Sequence, residues 1–339
     1  MKIVNLGSLN LDHVYQVDRF LLPGETKASK GLTDNAGGKG LNQSIAAVRT
    51  GAEVYHAGYF GANSDMLRKV LVDSGVHTEW MEDHLDIPCG HTVIQVDDAG
   101  QNCILLFGGT NVCLTEEYID RVLDQCGPDD ILLLQNETNL VPYIIEQAAK
   151  RGIPAAMNAA PMDEGVKDYP IGRLRYLIVN EIEGAALAGG DSFEETMDNL
   201  IAAYPGVGIL LTLGSAGAWF HDGDRDIRMG CCKVEKVVDT TAAGDTFLGY
   251  FLAGMLDKLD PAEALKRATF ASALTIQSPG AADSIPTVDQ VEAAMASGKL
   301  GTLEIQDNKQ EKLGLHSDAH FPAFSQALSP GGRESLFHR

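Results

Sequence analysis

Short apolar runs alternate with segments of helical periodicity along most of this chain, and that alternation limits the folds open to it. Runs at residues 3–6, 54–58, 131–134, 155–158, 177–179 and 209–213 are the length of core strands. Between them, residues 40–50, 65–74, 140–150, 181–188 and 192–204 carry apolar positions at helical spacing. An order of strand, helix, strand, helix predicts an α/β fold, with a central, mostly parallel sheet covered by helices on both faces. In such a sheet ligands bind outside the carboxyl ends of the strands, so polar residues just after each run become candidates for function.

Two stretches break the rhythm. Residues of about 11–35 and 88–107 alternate like strands without helices, and Asp97-Asp98-Ala99-Gly100 reads as the turn of a hairpin. Paired together, they form a small β-sheet that covers a site as a lid. The expected folded domain spans residues 1–298, and residues 299–339 read as a polar, irregular tail. A formal net charge of −21 argues against nucleic-acid and anionic-membrane partners, because both need a basic face. The six cysteines lack any metal-type spacing and fit a reducing compartment; no signal peptide or membrane-length apolar run is present, so a cytoplasmic location is expected.

Five groups of residues carry candidate chemistry. In Asp239-Thr240-Thr241-Ala242-Ala243-Gly244-Asp245-Thr246, a carboxylate stands at the mouth of a helix that opens near Gly244. Unpaired N–H groups and the helix dipole make such a mouth an anion site, so Asp245 is either a general base beside a phosphoryl group or a helix cap. Ala36-Gly37-Gly38-Lys39-Gly40-Leu41-Asn42-Gln43 is a glycine turn opening a helix; it fits neither the P-loop nor the dinucleotide fingerprint, and Lys39 and Asn42 supply directed donors beside it. Asn10 and Asp12 follow the first apolar run, and Glu137 follows the third; each is a candidate polyol contact or an ordinary polar turn. Asn180 and Glu183 are a capping box, ligands of a water-held Mg²⁺, or both. Thr212-Leu213-Gly214-Ser215-Ala216-Gly217 is a tight turn whose N–H groups and hydroxyls could meet nucleotide phosphates.

In this order the segments resemble the ribokinase-like (PfkB) family of carbohydrate kinases, from about residue 3 to about 290. The resemblance implies an ATP-dependent sugar kinase that phosphorylates a primary hydroxyl. Asp245 would be the base, and the N–H groups of Ala242, Ala243 and Gly244 the anion hole. Asn10, Asp12, Gly38, Lys39, Asn42 and Glu137 would hold the sugar, ribose in the first instance, giving ribose 5-phosphate. Fructose, 2-deoxyribose, adenosine and 2-keto-3-deoxygluconate are the other acceptors such a chain could serve, and a non-catalytic sugar-binding regulator is the rival from another class. Asn180, Thr212, Gly214 and Gly217 would meet the nucleotide, and Asn180 and Glu183 would order Mg²⁺. Asp239, Thr241, Gly280 and Ser284 match positions for a monovalent cation, usually K⁺, and the small sheet implies a homodimer. The chain departs from the family pattern at Tyr250, Ala216 and Ser278.

Overall fold

The apolar runs become strands buried on both faces, as a parallel sheet between helix layers requires. The computed structural model describes residues 1–223 and 225–309. Strand β1 (Ile3–Leu6) starts the central sheet, and the chain then leaves it as β2 (Asn10–Gln16) and β3 (Gly31–Gly37). Helix α1 (Lys39–Val48) leads back to β4 (Val54–Ala62), and α2 (Asp65–Asp73) to β5 (His77–Pro88). A second excursion forms β6 (Gly90–Val96) and β7 (Asn102–Phe107). Then follow α3 (Glu116–Leu123), β8 (Ile131–Gln135), α4 (Val141–Lys150), β9 (Ala155–Asn158), β10 (Tyr176–Asn180), α5 (Glu181–Ala188), α6 (Phe193–Ala203) and β11 (Gly208–Thr212). The hairpin β12 (Ala218–Asp222) and β13 (Arg225–Met229), helices α7 (Ala243–Leu256), α8 (Pro261–Thr275) and α9 (Val288–Ser297), and β14 (Ile305–Lys309) complete the described chain.

The sheet runs β14-β13-β12-β11-β10-β9-β8-β1-β4-β5. From β5 to β11 all neighbours are parallel, and β12 to β14 add an antiparallel edge. Alternate side chains feed two cores. Ile3 and Leu133 pack with α1, α7 and α8 on one face, and Val4, Leu6, Leu132 and Leu134 with α3 and α4 on the other. Because β1 lies between β4 and β8, the winding reverses there, and the crevice at a reversal point is where such sheets bind ligands.

The two excursions pair as expected into a separate four-stranded sheet, β3-β2-β6-β7. Its inner strands β2 and β6 are parallel, with Asn10 opposite Gly90 and Asp12 opposite Thr92. One expectation needs correction. Residues 305–309, read as part of an irregular tail, form β14 and pair with β13, because an edge strand needs hydrogen-bonding backbone more than apolar side chains. Residues 310–339 of that expected tail lie outside the described residues. No helix among the described residues is long and apolar enough to cross a membrane.

Candidate active site

The glycines of the first motif let three backbone segments meet. Gly38 has φ 96°, and a Cβ there would lie 2.8 Å from the Asn10 nitrogen. A side chain on Gly40 would overlap the Gly7–Ser8 backbone outright. The start of α1 is therefore held on the β1–β2 turn, with Leu41 N donating to Ser8 O (2.9 Å) and Gly40 N to Ser8 Oγ (3.1 Å). Glu137 closes the corner: it accepts from the Lys39 N–H (3.2 Å) and from the Ser8 hydroxyl. The first turn of α1 thus presents Lys39, Asn42 and Gln43 at the sheet's reversal point.

Opposite stands α7. Ala242, left-handed at φ 60°, turns the chain into the helix, and Asp245 occupies its first turn. The Asp245 carboxylate is held at both oxygens, by Asn42 Nδ2 on Oδ2 (3.0 Å) and Gln43 Nε2 on Oδ1 (2.8 Å). Each oxygen keeps a lone pair for a further donor. Of the three N–H groups expected to form an anion hole, that of Ala243 also donates to Thr240 O (3.2 Å). A Cβ at Gly244 would meet nothing within 4 Å, so the helix mouth is open on that side. Asp245, Ala242, Ala243 and Gly244 line a cavity of about 220 Å³ together with Lys39, Asn158, Asn180, Glu183 and Thr212.

One cation faces several carboxylates here. Burial opposes the Lys39 charge most strongly, yet Asp245, Glu137 and Glu183 together hold its ammonium above the ordinary value. Burial pushes Glu137 and Glu183 upward, against the Ser8 hydroxyl in the first case and the Asn180 N–H in the second. Burial likewise raises Asp12, against the Thr92 hydroxyl that donates to it at 2.6 Å. A pocket so poor in positive charge suits an anion that brings its own cation.

Of the two readings of Asn180 and Glu183, the geometry shows the capping box. Asn180 Oδ1 accepts from Ile182 N (2.9 Å) and Glu183 N (2.8 Å), while Glu183 Oε2 accepts from Asn180 N (2.9 Å). That is a complete capping box on α5, and it leaves Glu183 Oε1 for the cavity. Asn10, buried, accepts from Asn111 Nδ2 (2.8 Å) at the foot of the small sheet. Thr212 ends β11 beside the cavity. Gly214 and Gly217 flank a short 3₁₀ turn in which Ala216 N and Gly217 N already donate to Leu213 O and Gly214 O. Gly217 is glycine because a side chain would strike the Met229 carbonyl, whereas Gly214 is open.

Asp239, at the start of the α7 motif, gathers Thr241 and Gly280 around it. Its Oδ1 accepts from Thr241 N (2.9 Å) and Oγ1 (2.6 Å), and its Oδ2 from Gly280 N (3.0 Å). Burial works hardest against its charge, but these donors, the Thr241 hydroxyl first, hold the carboxyl below its ordinary value. Ser284, on the 3₁₀ turn after Gly280, turns its hydroxyl to Ala281 O (2.8 Å). Tyr250, a departure from the family pattern, is buried and donates to Pro286 O (2.8 Å), tying α7 to the segment after that loop. Ala216 sits within the short turn and Ser278 on an exposed loop. Ser8, Gln43, Asn111 and Asn158 were not assigned from sequence; Gln43 stood inside a quoted motif, but only the fold aims it at Asp245.

A model of the pfkB family of carbohydrate kinases matches residues 1–288. A ribokinase of Haemophilus influenzae is 32% identical over 291 residues, covering 83% of this chain and 94% of its own length. A bifunctional ribokinase/ribose-5-phosphate isomerase A of Fructilactobacillus sanfranciscensis is 33% identical over 91% of this chain, which spans only 59% of that longer protein. The structure of Arabidopsis thaliana ribokinase complexed with ribose and ATP superposes with a TM-score of 0.79 at 28% identity, covering 87% of this chain and 98% of that one.

Proposed function

The chain belongs to the pfkB family of carbohydrate kinases, and we propose that it transfers the γ-phosphoryl group of ATP to the primary hydroxyl of ribose, giving ribose 5-phosphate. The observation that carries this reading is the Asp245 carboxylate, held at both oxygens at a helix mouth that opens on the cavity. In that role Asp245 takes the hydroxyl proton as the oxygen attacks phosphorus, and the bond from the γ-phosphorus to the bridging oxygen breaks to release ADP. The N–H groups of Ala242, Ala243 and Gly244 stabilise the phosphoryl charge, with the contribution of Ala243 shared with Thr240. Asn10, Asp12, Gly38, Lys39, Asn42 and Glu137 hold the sugar and orient its hydroxyl.

Asn180, Thr212, Gly214 and Gly217 take the nucleotide. The residues fit Mg²⁺ held mainly through water and phosphates. Glu183 keeps one carboxylate oxygen outside its capping box, and no cluster of three His, Cys, Asp or Glu among the described residues forms an all-protein metal cage. Magnesium bound there supplies positive charge to the nucleotide phosphates. Asp239, Thr241, Gly280 and Ser284 form the loop assigned to a monovalent cation, K⁺ by expectation. The exposed Ile104, Leu105, Leu106 and Phe107 of β7 support a homodimer through the small sheet. Six free cysteines support a reducing, cytoplasmic location.

The test is MgATP-dependent phosphorylation of ribose, fructose, 2-deoxyribose, adenosine and 2-keto-3-deoxygluconate, with and without K⁺. Ribose as the fastest acceptor supports the assignment, and no turnover of ribose overturns it. Asp245→Asn is expected to lower kcat by about 10²–10⁴-fold while sugar still binds. Sugar binding without phosphotransfer in the unaltered protein would point to a regulator instead.

A further inference from the structure

Behind Asp245 runs a chain of buried, hydrogen-bonded side chains that reaches from the cavity into the sheet. Gln43 Nε2 donates to Asp245 Oδ1 (2.8 Å) and to Asn158 Oδ1 (3.2 Å). Gln135 Nε2 donates to Gln43 Oε1 (2.8 Å) and to Asn5 Oδ1 (3.0 Å). Asn5 Nδ2 in turn donates to Gly40 O (2.8 Å) and Ser44 Oγ (2.9 Å). Ser44 Oγ meets His56 Nδ1 (2.9 Å), whose other ring nitrogen meets Gly7 O (3.1 Å). Asn5, Gln43, Ser44, His56 and Gln135 are all completely buried.

The direction of every amide in this chain is forced. A backbone carbonyl and a carboxylate accept and cannot donate, whereas an amide has one accepting and one donating end. The Gly40 carbonyl therefore demands the Asn5 nitrogen, which turns Asn5 Oδ1 toward Gln135. That oxygen demands the Gln135 nitrogen, which also meets Gln43 Oε1. Gln43 is left with one orientation, its nitrogen on Asp245. At the far end the Gly7 carbonyl calls for a proton on His56 Nε2, so Nδ1 accepts from Ser44. Two details indicate that this polarity is maintained against local cost. Gln135 Oε1 is buried without a hydrogen-bond partner. Gly7 leaves room for the crossing, because a Cβ there would lie 2.5 Å from Asn5 Oδ1 and 2.7 Å from Gln135 Oε1.

We propose that Gln43 is a positioning residue for the Asp245 base, and that Gln135 and Asn5 lock the sense of its amide. The inference rests on the reading of Asp245 above. It assigns Asn42 and Gln43 different tasks: Asn42 holds one carboxylate oxygen, while Gln43 ties the other to the sheet through Gln135. A carboxylate held at one oxygen only can turn about its last bond, and a misplacement of that size is costly in a transfer reaction. The charged groups that act on the carboxylate, Lys39 and Glu137, are not altered by substitutions in this chain.

The experiment measures kcat, KM for the sugar and the thermal midpoint in Gln43→Met, Gln135→Met, the double variant and Asp245→Asn. D-ribose serves as acceptor, or the sugar of the panel above that is turned over. Gln43→Met should lower kcat by about 10- to 100-fold with KM within about three-fold of the unaltered enzyme. Gln135→Met, which does not touch Asp245, should lower kcat in the same direction, and the double variant should be no slower than Gln43→Met alone, as expected of residues acting through one another. A kcat within about two-fold of the unaltered enzyme in folded Gln43→Met, a loss expressed in KM alone, or losses that multiply in the double variant overturns the proposal. If the Met variant does not fold, Gln43→Asn keeps a buried amide but shortens its reach, and full kcat in that variant overturns it equally. Asp245→Asn separates the two readings: full activity there removes the base itself, whereas its loss alongside an unaffected Gln43→Met removes only the positioning role.

Discussion

Two glycines of the candidate site serve opposite ends, and substitutions distinguish them. At Gly40 an added methyl overlaps the Ser8 backbone, so Gly40→Ala should destabilise the protein by about 1–3 kcal/mol and weaken sugar binding, read by thermal melting and KM. At Gly244 there is open space, and alanine favours a helix by about 0.5–1 kcal/mol. Gly244→Ala should keep or raise the melting midpoint while kcat falls by about ten-fold, because the methyl enters the space assigned to the phosphoryl group. A lower melting midpoint with normal kcat would reverse that assignment. At this scale the sequence was informative wherever chemistry is local. Lys39, Asn42, Asp245 and Glu137 were all legible as donors and acceptors at strand ends or helix mouths. Ser8, Gln43, Asn111 and Asn158 were not, because each acquires its partner from a segment far along the chain.

Single elements carry two further expectations. The capping box on α5 means that Asn180→Ala should cost about 1 kcal/mol of stability, whereas Asn180→Asp should retain most of it. Comparing the Mg²⁺ dependence of the two variants then isolates any role of Asn180 toward the metal. On β4, burial lowers the His56 pKa to about 4 from 6.5. The neutral ring is favoured in the folded state, so its contribution is complete above pH of about 6.5 and is lost as pH falls toward about 4. The loss is on the order of 3 kcal/mol, since each unit is worth about 1.4 kcal/mol. The melting midpoint should fall across that window, and His56→Gln should flatten the dependence; an unchanged slope would sink this account. Element types were legible because apolar periodicity reports burial directly, and the strands at 3–6 and 155–158 and the helix at 181–188 end where their side chains do. The last strand, β14, was not legible, since its residues are polar and its stability comes from pairing with β13.

For the whole molecule, the small sheet exposes an apolar edge that a lone subunit leaves in water. Leu105 is 70% exposed, Ile104 55% and Phe107 48%, all on β7. Leu105→Glu should therefore convert a dimer to a monomer in sedimentation equilibrium without lowering the melting midpoint of the subunit. A monomer in the unaltered protein would remove the dimer proposal.

The sequence by itself determined the alternation of strand and helix, the two excursions that become a second sheet, and the polar residues at each strand end. These follow from periodicity and from the backbone demands of turns, which act over a few residues. Only the tertiary structure decided that α1 and α7 face each other across the reversal at β1, so that residues 42 and 43 grip residue 245 from opposite sides. It alone decided that Asn5, Gln135 and His56 join behind them in one oriented chain. The physical reason is that a hydrogen bond is specific in direction but indifferent to separation along the chain, and no local pattern records which distant partner it will find.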